Sequence, residues 1–542
     1  MRQGVLILWN ALTNYAREAI LLVLTLVVNP FLYHRLGADA FGVVALTGNT
    51  VGFFYLLDIG MGHAVARFVS KYAALSEVQR VRAVVSTAVV VYVFLGAVVT
   101  VLVGGLGLFL LPQIGVPASV QVEARWVIVL LGLGLGLRFV GYAFEGTLRG
   151  LQRFDICNLA LLAERVVYAG TSMLVVGVWK QGLLAVGYCL LGSLVVVDLI
   201  WLLGAFAVYP SLQVRLGSVS RAALGEMLRF GALAALTQVT SFLERTATPF
   251  LISSFFTSTV LGHYNLVMVV VTLQLRLATA VSVVVMPAAS RLEALNEGAA
   301  LKRLVLDGSR AVLGLVVPSA IWMMVMAAPL LETWIGPTLG PYSGLLVGLA
   351  AVQLVDSLCG VGDMVLLGMG RARPVGGAYL VSSALMIGVL MPLLWATPLG
   401  LYAVPVAMTL GVLIRRWVLL AQVCRAVRAT VSEYVLRVLA PLGLASVFTA
   451  GALFVLRAGL PARGWGPVLL SAAVGGTVHL AVSWWVVLRS AERAQLQRVV
   501  RERWRYLTAS RDTPAPASSR APVPNSVDGT SVRPVAQDER SC

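Results

Sequence analysis

The chain of 542 residues is 59% hydrophobic and only 12% charged. Soluble domains carry about 25% charged residues, so a water-soluble globular fold is excluded. The net charge of +17 is scattered between apolar runs rather than gathered on one patch, which excludes nucleic acid as the partner.

In chain order, about fourteen runs approach or exceed the ~20 residues that cross bilayer hydrocarbon. They are 12–34, 41–62, 84–111, 125–147, 156–179, 181–208, 228–256, 259–289, 306–332, 341–369, 375–395, 399–424, 436–457 and 465–488. The fold class is therefore all-α and polytopic. A membrane β-barrel would alternate with period two in segments of about ten residues, and these runs do not. The opening MRQGVLILWNALTNYAREAILL has no short apolar stretch followed by a small-residue cleavage site, so the first run is read as a retained span.

With the N-terminus inside, the cytoplasmic connections collect Arg67, Lys71, Arg80 and Arg82, then Arg149 and Arg153, then Arg215, Arg221 and Arg229. They continue with Arg291, Lys302, Arg303 and Arg310, then Arg371 and Arg373, and finally Arg415, Arg416, Arg425, Arg428 and Arg437. The opposite side receives Arg35, Arg125, Lys180, Arg457 and Arg463. This asymmetry is the positive-inside pattern and places both termini in the cytoplasm. After the last span, residues 489–512 set Leu496, Val499, Val500, Trp504 and Leu507 near one face among arginines. That pattern predicts a basic amphipathic helix on the anionic inner leaflet. Residues 513–542 are rich in Pro, Ala and Ser and are expected to be disordered.

The chain also repeats itself. PFL stands at 30–32 and again at 249–251, a displacement of 219 residues. Gly150 and Arg153 of LRGLQRF lie opposite Gly368 and Arg371 of LLGMGRA, displaced by 218, and GLLAV at 182–186 matches GLYAV at 400–404 at the same displacement. Three matches in one order indicate a duplicated six-span unit: one lobe over 1–210, a second over 211–430, and two additional helices over 431–488. Parallel repeats of this kind handle substrate between their halves.

Three local motifs are familiar: LGADAFG at 36–42, LLDIGMGHAVARFVS at 56–70 and LRGLQRFDICN at 148–158. Over residues 5–488 the chain resembles the polysaccharide-biosynthesis family of lipid-linked oligosaccharide (O-antigen-type) flippases, within the multidrug/oligosaccharidyl-lipid/polysaccharide exporter superfamily. The resemblance implies two six-helix lobes around a cavity that opens alternately to either face of the inner (cytoplasmic) membrane. It implies a polyprenyl-diphosphate-linked oligosaccharide as cargo, for lipopolysaccharide or exopolysaccharide export, and other polysaccharide-assembly proteins as possible partners.

A diphosphate crossing hydrocarbon needs cations that stay protonated and grip phosphate in a fork, which is what arginine does. The candidates inside predicted spans are Arg17, Arg138, Arg165, Arg245 and Arg276. At about 1.5 Å per residue, Arg245 falls in the outer half of its span and Arg276 in the inner half of the next. Glu18, Glu164 and Glu244 sit beside arginines in sequence. Neighbours on a helix point about 100° apart, so each needs a partner elsewhere. They are expected to be lumen acids. Asp58, displaced by 218 from Arg276, is expected to be a gate partner. Asp356 and Asp363, seven apart on one face, are candidates for a coupling-ion site. Glu145 and Arg149 read as an ordinary pair, and Asp198 as a bond between helices or a site group.

Cys157, Cys189, Cys359, Cys424 and Cys542 show no CxxC spacing, and the four histidines are dispersed, so no cofactor or metal is expected. An enzyme such as a glycan polymerase or ligase would carry catalytic groups on a large external loop, and the connections here are short. A drug exporter of the same superfamily is the other alternative. Its usual cationic cargo suits a cavity of acids rather than of arginines.

Overall fold

The computed structural model describes residues 20–58, 60–110, 116–229, 247–461, 463–487 and 493. Its regular elements among the described residues are all helical. The first set is α1 (Ile20–Leu36), α2 (Ala38–Phe54), α3 (Met61–Ala74), α4 (Val78–Gly105), α5 (Gln121–Gly150), α6 (Phe154–Gly177) and α7 (Leu183–Val208). A described helical stretch, α8, covers 221–229. The second set is α9 (Ala247–Phe255), α10 (Ser258–Ala294), α11 (Gly298–Val325), α12 (Ala327–Trp334), α13 (Ser343–Ser357), α14 (Gly360–Gly368), α15 (Ala372–Ala396) and α16 (Ala403–Ala426). α17 (Val431–Tyr434), α18 (Ala440–Gly459) and α19 (Trp465–Val486) follow.

Among the described residues, 11 helices are long and apolar enough to cross a membrane. They match eleven of the predicted spans; the other three differ for stated reasons. The span 12–34 is described only from Ile20. The span 41–62 breaks into α2, a 3₁₀ turn at Tyr55–Asp58 and α3, with Gly60 in the left-handed region at φ 70°. Most of 228–256 lies outside the described residues, as do 489–512, apart from Arg493, and 513–542. The span 341–369 is also interrupted, at Leu358–Cys359 between α13 and α14.

The duplication is visible in how helices stop. α5 and α14 both end in a Schellman turn. Arg153 N donates to Leu148 O at 2.9 Å, and Arg371 N to Leu366 O at 2.9 Å. The left-handed residues are Gln152 (φ 61°) and Gly370 (φ 75°). α3 and α10 share a second such turn, with Ser76 at φ 57° and Asn296 at φ 56°. In each case a new long helix starts within two residues, giving the up-and-down order that stacks the spans side by side.

Burial shows where the sets meet. One apolar cluster runs from α2–α7 into the second set through Leu261, Leu266, Leu345, Leu346 and Ala407, which lie towards the starts of α10, α13 and α16. A separate cluster fills the other ends of these helices, around Val285, Val316, Val365, Leu419 and Val423. At the joined end α2 lies directly on α10: a Cβ at Gly42 would collide with the Ser258 carbonyl, so only glycine permits this approach.

Candidate functional site

α5 carries Arg138 at mid-helix, 6% exposed. Its guanidinium is held from three sides. Nη2 donates to Glu164 Oε2 on α6 at 2.7 Å, Nη1 lies 3.7 Å from Asp198 Oδ1 on α7, and the Trp201 ring lies 4.8 Å from Cζ. The last is a cation–π contact, favourable where water is scarce. Asp198 reaches this point because residue 141 is glycine; a Cβ there would collide with its carboxylate. Neither Asp198 oxygen nor Arg138 Nη1 has a hydrogen-bond partner among the described residues. Such gaps beyond 3.5 Å are where a water fits between polar groups.

Glu164 also faces Arg165, at 3.8 Å between Oε1 and Nε. The two arginines differ in access: the Arg138 side chain is 8% exposed and that of Arg165 is 58% exposed. Both line one cavity of about 340 Å³ together with Thr25 and Asn29 of α1, Asn49 of α2 and Asn265 of α10. Helices of both sets thus wall it. Leucine, valine and phenylalanine side chains complete the wall, so the cavity offers a cation, Arg165, in a partly apolar hollow, with the adjoining acid already committed to a second arginine.

At one end the sets are tied together by polar bonds. Tyr33 of α1 shares its hydroxyl with His263 Nε2 at 3.0 Å and Thr338 Oγ1 at 3.2 Å, and His263 Nδ1 meets the Tyr342 hydroxyl at 3.0 Å. Thr259 donates to Asp39 at 2.7 Å, and Trp334 Nε1 donates to the Leu26 carbonyl at 3.0 Å. Such bonds link α1 and α2 to α10, α12 and the start of α13.

Of the other predicted site residues, Arg17, Glu18, Glu244 and Arg245 lie outside the described residues. Arg276 is half-buried on α10. It is about three helical turns beyond Asn265 and two beyond Val269, on their face, and is not among the residues that line the cavity. Asp58 is buried at the break between α2 and α3, where it accepts from the Tyr92 hydroxyl and from Gly62 N at 3.2 Å. Glu145 and Arg149 form their pair at 2.5 Å.

Asp356 and Asp363 are both engaged by arginines of α16. Asp356 Oδ1 accepts from Arg415 at 2.5 Å and from Arg416 Nε at 2.8 Å, and Asp363 Oδ2 accepts from Arg416 at 2.6 Å and from Tyr379 at 3.0 Å. Arg415 also lies over the Tyr379 ring, 4.2 Å from its centroid. The acids therefore meet guanidinium groups rather than an open ion site. This corrects the placement of Arg415 and Arg416 in a cytoplasmic connection: they are 4% and 7% exposed inside α16. The signal that finds them is the duplication, because Arg416 stands 218 residues after Asp198 and Asp356 stands 218 after Arg138. Among the described residues no group of three or more His, Cys, Asp or Glu side chains is placed to hold a metal.

Residues 35–340 match the model of the polysaccharide biosynthesis protein family, more than half of the 542 residues. The chain belongs to the polysaccharide biosynthesis protein family. EpsK, an uncharacterised membrane protein of Bacillus subtilis (strain 168), is 20% identical over 230 residues, 42% of this family member and 46% of EpsK. The match thus spans less than half of that curated relative. The solved Lipid II flippase MurJ, in an inward closed conformation, is 13% identical, with a TM-score of 0.66 over 88% of this chain and 98% of that one. An inward-facing multidrug resistance MATE family transporter of the MOP superfamily is 14% identical, with a TM-score of 0.65 over 77% and 98%. This polysaccharide biosynthesis protein therefore has the MOP superfamily fold.

Proposed function

We propose that the chain is a flippase. It carries a polyprenyl-diphosphate-linked oligosaccharide from the inner to the outer leaflet of the cytoplasmic membrane by alternating access, for export of a cell-surface polysaccharide. The observation that carries this reading is Arg165, a largely exposed guanidinium on the wall of a cavity of mixed polar and apolar lining between the two sets. Membership of the polysaccharide biosynthesis family supports a glycan cargo, and the fold shared with MurJ supports a lipid carrier for it. No covalent step is required: the protein binds the diphosphate, closes one end and opens the other. A volume of about 340 Å³ is at the small end of ligand cavities, about 300–1,000 Å³. It suits the diphosphate and adjoining sugar, with the tail left in the bilayer.

Purified protein in liposomes tests this, with a fluorescent polyprenyl-diphosphate glycan loaded in one leaflet. Wild type transfers the glycan, and Arg165→Ala slows transfer at least about tenfold, the loss of one charge-assisted phosphate contact. Wild type that moves a cationic dye instead, under any ion gradient, would replace the flippase by an exporter.

A further inference from the structure

At the end of the molecule opposite Tyr33, three arginines from separate segments surround one hollow of about 700 Å³. Arg371 follows α14, Arg425 lies in the last turn of α16, and Arg428 holds the left-handed position, φ 52°, of the turn beyond. All three are exposed, and no acid among the described residues pairs with them. Lys302 is a fourth cation on the wall, with its ammonium 2.5 Å from Glu433. Glu293 is the acid among the lining residues.

The duplicated turn in the first set shows what a neutral version looks like. There Arg153, the equivalent of Arg371, grips Asp155 with both arms at 2.9 and 2.8 Å. Position 373, the equivalent of Asp155, holds a further exposed arginine instead of an acid. The first turn of α11, at Gly298 and Ala299, also borders the hollow, and the backbone N–H groups at a helix start favour an anion. The ends of α11, α14 and α16 are ends of candidate spans, which sets the hollow at the membrane–water boundary.

We propose that this hollow binds a phosphate-bearing anion. Three arginines and a lysine converging on a hollow with one lining acid, Glu293, are relieved by an anion between them, and the guanidinium fork matches phosphate oxygens two at a time. The hollow is larger than bare phosphate, so the group is carried on a larger molecule, either an anionic phospholipid headgroup or a soluble phosphate compound. The site is separate from the Arg165 cavity and does not depend on what the protein transports.

The full-length protein is compared with Arg371→Gln/Arg425→Gln/Arg428→Gln. One arm measures phosphatidylglycerol against phosphatidylcholine retained in native mass spectra. The other measures thermal stabilisation by pyrophosphate in lipid-depleted detergent. Wild type prefers phosphatidylglycerol if the source is a headgroup and responds to pyrophosphate if it is soluble. In either case the triple variant binds at least about tenfold more weakly. A second variant, Glu433→Gln, releases Lys302 and tightens binding. This gain cannot come from misfolding. Equal binding by wild type and the triple variant in both arms, or weaker binding by Glu433→Gln, overturns the proposal.

Discussion

Arg138 on α5 faces Asp198 on α7, and 218 residues later Asp356 on α13 faces Arg416 on α16. The two copies place opposite charges on the same pair of helices in reversed order, so the duplication kept a bond between helices while exchanging its poles. The surroundings then diverge. In the first set the ions stand 3.7 Å apart at the rim of a cavity, and both Asp198 oxygens lack hydrogen bonds among the described residues. In the second set one oxygen of each acid, Asp356 Oδ1 and Asp363 Oδ2, accepts two or more bonds from Arg415, Arg416 and Tyr379, with contacts of 2.5–3.0 Å. A buried pair adds little net stability over an apolar one, yet removing one partner is costly because a bare charge remains. The second copy is therefore a brace, while the first is loose enough to exchange partners with a ligand.

The largest expected effect is on the brace. Arg416→Ala leaves the buried Asp363 with the Tyr379 hydroxyl and no counter-charge, and Asp356 with Arg415. The cost is about 3–5 kcal/mol, read as a collapse of thermal stability in detergent and a low yield of monodisperse protein. Arg138→Leu is milder, about 1.5–3 kcal/mol, because Glu164 keeps Arg165 and Asp198 can take water from the cavity. Equal losses in the two variants would remove the distinction between brace and loose site.

Reversing the poles of the first copy sharpens the comparison further. Arg138→Asp with Asp198→Arg reproduces the order of the second copy, but it sets a new carboxylate against Glu164, which lies 2.7 Å from the present guanidinium. The equivalent of Glu164 is Ser382. Adding Glu164→Ser should therefore recover a coupling of about 0.5–3 kcal/mol that the double variant lacks. Transfer of an anionic cargo stays lost in both, because the cavity wall, lined by Arg138, Glu164 and Arg165, has lost its net positive charge. At the joined end, Tyr33→Phe removes bonds to His263 and Thr338 and should cost about 0.5–1.5 kcal/mol per bond. It should leave the Arg138 cluster unchanged and speed opening at that end, measured by distance distributions between spin labels on α2 and α10.

Much of this molecule is legible as sequence, for a physical reason. Hydrocarbon forces every backbone bond to be satisfied within a helix, so span positions follow from apolar length, and eleven spans fall where patterning puts them. The site is less legible because charge partners are chosen between helices, across distances no local pattern encodes. The sequence marks Arg138, Glu164 and Arg165 as intramembrane, but not that Glu164 reaches α5. It marks Asp356 and Asp363 as one face, but the basic run that continues to Arg425 and Arg428 draws Arg415 and Arg416 into a loop, although they lie at the middle of α16. Their burial follows only when the 218-residue displacement is applied residue by residue to the charges.

The smallest effect on stability belongs to the residue on which the function rests. Arg165 contacts Glu164 only at 3.8 Å and its side chain is 58% exposed. Exposed pairs of this kind are worth about 0–1 kcal/mol. Arg165→Ala should therefore unfold within about 0.5 kcal/mol of wild type, while removing Arg138, one helix away and bound to the same carboxylate, costs about 1.5–3 kcal/mol. If Arg165 were merely a weaker member of the structural cluster, stability and transfer would fall together and only slightly. If it receives the cargo, transfer falls at least about tenfold with stability unchanged. Arg165→Lys keeps the charge but loses the bidentate fork, so it should restore binding of the diphosphate only in part. Measuring unfolding and glycan transfer on the same preparations of Arg165→Ala, Arg165→Lys and Arg138→Leu separates a cation that holds the helices from one that holds the substrate.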